Sequence, residues 1–392
     1  MRSLRVLVAA LVGALVGGAV TLGMPLEDSR PPARRPPPAQ LVKQAPIRTL
    51  LVWTPGGLPP GYAEAVQRLP SVRAAAEVRS GTAWLTAWRP EGSPRRTPPS
   101  GLAYPTEVAA FRPLSYRRFV PPADRPLVES LARGGALLSR GAARLRGIEA
   151  GGTLRFGGLG LPVVGVLDDE LVGAHEVVVS HETGARLGIS RARYLLVAPR
   201  AKAERREVEE GIRGALPPGV RVRVRGPGET PVFRHGDAVL PPLRLKELFG
   251  EFAAAPAAGG MLRMEGGWVR RNIRTTTLPV VGPVTCHRTI VPAMRTAFAE
   301  LQRRALDDLI DPGDFGGCYS PRFILRSPGA GISHHGWGIA FDLNVSQNPF
   351  GREPRMDPRV VEVFERHGFT WGGRWLVPDG MHFEFLRFAE GD

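Results

Sequence analysis

Ser333-His334-His335-Gly336-Trp337-Gly338-Ile339-Ala340-Phe341-Asp342, followed farther along by Asp379-Gly380-Met381-His382-Phe383-Glu384, decides how the C-terminal third of this 392-residue chain is read. From Gly338 to Leu343 the small or acidic residues Gly338, Ala340 and Asp342 alternate with the bulky apolar Ile339, Phe341 and Leu343. A strand shows successive side chains to opposite faces, so a strand here puts Asp342 opposite the apolar set, where small neighbours leave room for an ion. Met381, Phe383 and Phe385 alternate in the same way with His382, Glu384 and Leu386, which lets a second strand present His382 while its other face enters the core. Asp379 precedes that strand in a turn made by Pro378, Asp379 and Gly380.

His335, Asp342 and His382 are three ligands of the types a catalytic zinc ion takes, with a fourth position left for water. Asp379 is then available for proton transfer. A lone histidine among apolar residues is more often a core or surface group than a ligand, and His175, His181, His235 and His367 take that reading. His287, beside Cys286, reads as structural. His334 adjoins a candidate ligand, but strand alternation points it away from His335. Glu384 is open between supporting a ligating histidine and simple exposure.

The order Ser-x-His-x-x-Gly-x-Ala-x-Asp, then Asp-x-x-His, resembles the zinc peptidases that include VanY-type D-alanyl-D-alanine carboxypeptidases and the L-alanyl-D-glutamate endopeptidases of phage endolysins. The resemblance extends to Gly317-Cys318-Tyr319-Ser320-Pro321-Arg322, to Asp342-Leu343-Asn344 with Asn348, and to Gly368-Phe369-Thr370-Trp371-Gly372-Gly373, spanning residues 245–388. It implies a hedgehog/DD-peptidase-like α+β zinc domain built on a small antiparallel sheet. By that match His335, Asp342 and His382 hold zinc, and Asp379 is the general base. Arg322 faces the substrate carbonyl oxygen or carboxylate, and Ser333 shapes the substrate side of the pocket. The implied activity is hydrolysis of peptidoglycan stem peptides, as a carboxypeptidase or, since Asp rather than Glu stands at the base position, as an L-alanyl-D-glutamate endopeptidase. A non-catalytic wall-binding protein that keeps the zinc fold, as the hedgehog signalling domain does, is the reading from another class. The intact pair Asp379 and Arg322 argues for the enzyme.

The N-terminus points outward from the cytoplasm. Arg2 and Arg5 precede an uncharged apolar run from Val6 to Met24, near the length that spans a bilayer. Residues 1–28 therefore read as a signal anchor, with a cleaved signal peptide as the alternative, and residues 29–47, rich in proline and arginine, as a stiff tether. Two cysteines in an exported chain suggest a disulfide between Cys286 and Cys318. The net charge of +15 comes from 52 Lys plus Arg against 37 Asp plus Glu, which suits acidic wall polymers or compositional bias; export removes nucleic acid from consideration.

Residues 48–240 read as a separate α+β domain, with short strands at Thr49–Trp53, Leu161–Leu167, Glu176–Ser180 and Tyr194–Ala198 and helices near Ala63–Leu69 and Ala201–Leu216. Within it, Leu138 to Leu154 followed by Leu161 to Val166 resembles the periplasmic core domain of MacB-type ABC permeases. A permease needs several membrane helices, and one apolar run is present, so a binding, positioning or spacer role fits better. Arg221, Arg223 and Arg225 alternate with valines and read as a solvated strand face. In the C-terminal part, helices are expected over Pro292–Ile310 and from a cap at Asp357 with Pro358 in the first turn to just before Gly368.

Overall fold

The computed structural model describes residues 49–229 and 240–386. The expected membrane anchor and tether lie outside these residues. Among the described residues no helix is long and apolar enough to cross a membrane.

The first region is a nine-stranded mixed sheet. Its strands are β1 (Leu50–Trp53), β2 (Val72–Arg89), β3 (Tyr104–Phe111), β4 (Ala136–Ser139), β5 (Thr153–Phe156), β6 (Leu159–Leu167), β7 (Val177–Ser180), β8 (Ala192–Pro199) and β9 (Arg223–Arg225). The four strands expected from sequence are β1, β6, β7 and β8, and the two helices appear as Tyr62–Gln67 and Arg205–Gly214. The longest strand, β2, is a new finding. Its Val72, Ala74, Ala76 and Val78 are buried in alternation, a pattern blurred in the sequence by alanines on both faces. Its length lets β2 pair with β8 through its first half, with β3 through its middle and with β5 at its end. The pairings β2–β3–β7–β4–β6–β5–β2 therefore close a ring, from which β8, β1 and β9 continue as an extension.

Helix α1 (Pro242–Phe249) leads out of this sheet. Its Leu243 packs in the core of the first region, while Leu245 and Phe249 pack in the core that follows. The hairpin of β10 (Ala254–Pro256) and β11 (Leu262–Met264) comes next, then the hairpin of β12 (Ile273–Leu278) and β13 (Gly282–His287). Helix α2 (Val291–Arg303) buries Met294, Phe298 and Leu301, as their helical spacing suggests, together with Ala297, whereas Ala305, at the same spacing, lies exposed beyond its end. It stops short of Ile310 because Ala305 adopts a positive φ of 51°, which turns the chain so that the Leu306 amide bonds the Leu301 carbonyl and the Leu306 side chain enters the core. No glycine or proline marks that stop.

Helix α3 (Pro358–Arg366) matches its expected caps: Asp357 accepts a hydrogen bond from the Arg359 amide, and Gly368 leaves the helix at φ 88°. A three-stranded antiparallel sheet closes the chain, in the order β14 (Ala340–Asp342), β16 (His382–Phe385), β15 (Phe369–Trp371). Its apolar face, with Phe341, Phe383, Phe369 and Phe385, stacks on Phe298 and Phe364 of the two helices. Cys286 and Cys318 form a disulfide, with Cα atoms 5.3 Å apart.

Candidate metal centre

Register places the first two ligand candidates. In the antiparallel pair of β14 and β16, Asp342 lies directly opposite His382 and Ala340 opposite Glu384, while Phe341 and Phe383 meet on the other face. The alternation read from the sequence thus separates a polar face from an aromatic one.

The third candidate arrives differently. Gly338 has φ 68°, and a Cβ there would stand 2.9 Å from the His287 amide nitrogen. The expected strand from Gly338 therefore begins only at Ala340. His334–Gly336 forms a 3₁₀ turn instead, which swings His335 inward and leaves His334 near the sheet. His287 proves structural: its amide donates to the Gly338 carbonyl, its ring contacts the Phe249 carbonyl, and burial pushes its pKa down to about 4.

Three atoms converge. His382 Nδ1 is 3.0 Å from Asp342 Oδ1 and 3.2 Å from His335 Nε2, which is 3.3 Å from Asp342 Oδ1. Ligands about 2.0–2.1 Å from one tetrahedral ion stand about 3.3 Å apart, so the spacing suits a metal without rearrangement. The outer nitrogens support the same reading. His335 Nδ1 lies 2.9 Å from the Cys318 carbonyl, which can only accept, so that nitrogen carries the proton and Nε2 turns its lone pair inward. His382 Nε2 points at Glu384 Oε2, 3.3 Å away, leaving Nδ1 for the centre.

Three lone-pair-bearing atoms facing one another need a positive charge between them. In the metal-free chain a proton supplies it: burial opposes a charge on His382, but hydrogen bonds to Asp342 and Glu384 outweigh it and lift the pKa to about 10. Burial raises the Asp342 and Glu384 carboxyls, yet their histidine partners hold both well below the usual range. The donor set fits a divalent metal, which takes up the place of that proton.

Glu384 is buried and supports both histidine neighbours. It accepts from His382 and, at 2.6 Å, from His334 Nδ1. The sequence left its role open and gave no sign of the His334 link, which depends on the turn at His334–Gly336. Two glycines allow the close packing of the site. A Cβ at Gly316 would meet Asp342 Cβ at 2.9 Å, and one at Gly372 would meet the Asp379 carbonyl oxygen at 2.8 Å and His382 Cβ at 3.3 Å.

Asp379 stands beside the three ligands, its amide bonded to the Gly372 carbonyl and its turn fixed by Trp371 Nε1 on the Gly380 carbonyl. Its Oδ1 is buried with no hydrogen-bond partner. Burial raises its pKa from the ordinary aspartate value, with Asp342 adding to the rise and His382, His335 and Arg322 opposing it. Arg322 forms no salt bridge among the described residues and acts on Asp379 through space. Its carbonyl accepts from the amide of Ser333, whose side chain is buried. Trp375 was not singled out in the sequence, yet its ring lies 5.2 Å from that of His382. The arginine strand differs from expectation at Arg225, which is buried; Arg223 is half-buried and Arg221 exposed, and these two also reach the carbonyls of Arg374 and Leu376.

Residues 326–385 match a family model described as D-alanyl-D-alanine carboxypeptidase. The match takes in Ser333, His335, Asp342, Asp379, His382 and Glu384 and begins after Arg322. Among solved structures the chain is similar to the periplasmic region of MacB from Actinobacillus actinomycetemcomitans, at 12% identity over 45% of this chain and 88% of that one, with a TM-score of 0.33. It is also similar to the extracellular domain of the ABC-type transporter YknZ from Gram-positive bacteria, at 12% identity over 42% and 88%, with a TM-score of 0.29. No curated protein matches the chain.

Proposed function

We propose that this chain is a zinc peptidase that hydrolyses the short stem peptides of peptidoglycan, with a D-alanyl-D-alanine carboxypeptidase-like activity. The observation that carries the reading is the Asp379 carboxylate, buried and unpartnered at Oδ1 beside three converging ligand atoms. A purely structural metal site has no use for such a group, because a buried carboxylate oxygen without a partner is costly. The family match over residues 326–385 supports the reaction class.

When bound, zinc supplies a polarised substrate carbonyl and a water of lowered pKa. Asp379 takes the proton from the attacking water, a transfer that its raised pKa favours, and passes it to the departing amine. Arg322 offsets the negative charge that grows on the substrate oxygen, a contribution whose loss costs about a hundredfold or more in rate. Ser333 lines the substrate side. The bridged Cys286 and Cys318 suit an oxidising compartment, and the basic and apolar start of the chain supports the reading of an enzyme outside the cytoplasmic membrane with that start as its anchor.

Asp379→Asn separates the roles. The variant should keep its metal, measured by stoichiometry after dialysis, and lose peptide hydrolysis. Hydrolysis at the parent rate would remove Asp379 as the base.

A further inference from the structure

We infer that the nine-stranded region is part of the catalytic apparatus, because it holds in place the two segments flanking the metal centre. The inference rests on the peptidase reading for the roles of Arg322 and Asp379. It adds positioning residues, Arg221, Arg223 and Trp84, that lie at least 112 positions before the first ligand, His335, and outside the family match.

The first segment is Gly372 to Asp379. It carries Trp375, whose ring lies against His382, and both the Trp375 and Asp379 amides donate to the Gly372 carbonyl. Across from it, at the edge of the large sheet, Arg221 Nη1 donates to the Leu376 carbonyl at 3.0 Å and Arg223 Nη2 to the Arg374 carbonyl at 3.2 Å. β9 pairs with β1 over Trp53, Val52 and Leu51, so the strand that aims Arg223 is fixed by a buried ladder. Two charged donors on alternate carbonyls thus add an anchor from the large sheet to the bonds this segment makes within itself.

The second segment bears Arg322. The Arg322 backbone forms a bridge with Met261, the Leu262 amide donates to the Pro321 carbonyl, and the Phe323 amide donates to the Gly260 carbonyl. The β10–β11 hairpin providing those bonds is itself tied to the first region, through a reciprocal pair of 2.9 Å bonds between Ala103 and Ala254 and through Arg263 on the Gly101 carbonyl. Beyond it, Trp84 of β2 packs on the C-terminal core and meets the Phe323 ring edge-on at 6.4 Å. The base and the oxyanion-facing arginine are thus both referenced to one rigid sheet. Small displacements of such groups slow a reaction steeply, since catalysis depends on alignment.

The test uses the full chain carrying Arg221→Ala and Arg223→Ala together, with Arg221→Lys/Arg223→Lys as the conservative pair. Expected results are unchanged metal content and melting temperature, kcat per bound metal lowered about tenfold with KM moved less, and partial recovery in the lysine pair, which keeps one donor on each carbonyl. Amide hydrogen exchange in the metal-free chain gives a readout independent of turnover, and the Trp375 and Asp379 amides should exchange faster in the alanine pair. Parent-like exchange at those amides, or a kcat loss that lysine does not restore, overturns the inference. If the parent chain cleaves no peptide, the peptidase reading fails, and the exchange rates alone then decide whether the sheet positions this segment.

Discussion

Replacing Glu384 with Gln removes one charge from a buried position and changes almost no volume, so its effect isolates the electrostatic support of the ligands. The carboxylate accepts from His382 Nε2 and His334 Nδ1, and is buried with His382 while His334 is half-buried. A hydrogen bond to a charged group contributes about 1.5–3 kcal/mol in such a setting. Gln also presents an amide NH₂ to one of the two histidines. Where it faces His382, it favours the tautomer with the proton on Nδ1, the atom that points at the metal. The zinc affinity should fall about 10- to 100-fold, equivalent to about 1.4–2.7 kcal/mol. Competition against a chromogenic chelator at fixed pH measures it, with thermal unfolding of the metal-free variant as the check on folding. An affinity within twofold of the parent, in a folded variant, refutes the assignment of Glu384 as the group that orients His382.

Other expectations concern protons and packing. His382 has a folded pKa of about 10 against an ordinary 6.5, so its contribution to metal-free stability is full below pH 6.5 and is lost as pH rises through about 10. Zinc must displace that proton, so apparent affinity should climb about tenfold per pH unit between about pH 7 and 9; calorimetry in buffers of different ionisation enthalpy should find about one proton released, and a flat profile contradicts the picture. Cys318→Ser opens a 32-residue loop and loosens the carbonyl that orients His335, so chemical denaturation should show about 3–4 kcal/mol lost together with weaker zinc binding. Lys246→Met leaves Glu176 in a site where Lys246 Nζ bonds both of its oxygens and the Pro105 carbonyl, and should cost about 3–5 kcal/mol in the same measurement, whereas a neutral effect denies the cluster a structural role.

The polar and aromatic faces of the small sheet were readable because a period of two assigns each residue to a side, and the facing of Asp342 and His382 follows once the strands pair. Helix α3 was readable from its caps. The His334–Glu384 bond was hidden because Gly338 enters the left-handed region, which cuts the strand short and replaces its start by a turn. The end of α2 was hidden for a related reason: an alanine takes the left-handed position, driven by burial of Leu306 rather than by a local breaker. β2 escaped notice because alanine on both faces weakens its alternation. The reach of Arg221 and Arg223 to the Trp375 segment connects positions about 150 residues apart in sequence, which no local pattern encodes.

The most direct test is incubation of the zinc-loaded full chain with the synthetic stem L-Ala-D-Glu-diamino acid-D-Ala-D-Ala, with products identified by mass spectrometry. The account predicts loss of the terminal D-alanine, abolished by chelation and restored by zinc. Release of the N-terminal L-alanine would keep the zinc peptidase and move the cut to the L-alanyl-D-glutamate bond. An intact peptide with zinc shown to be bound would contradict the account and leave a metal-holding wall-binding protein in its place.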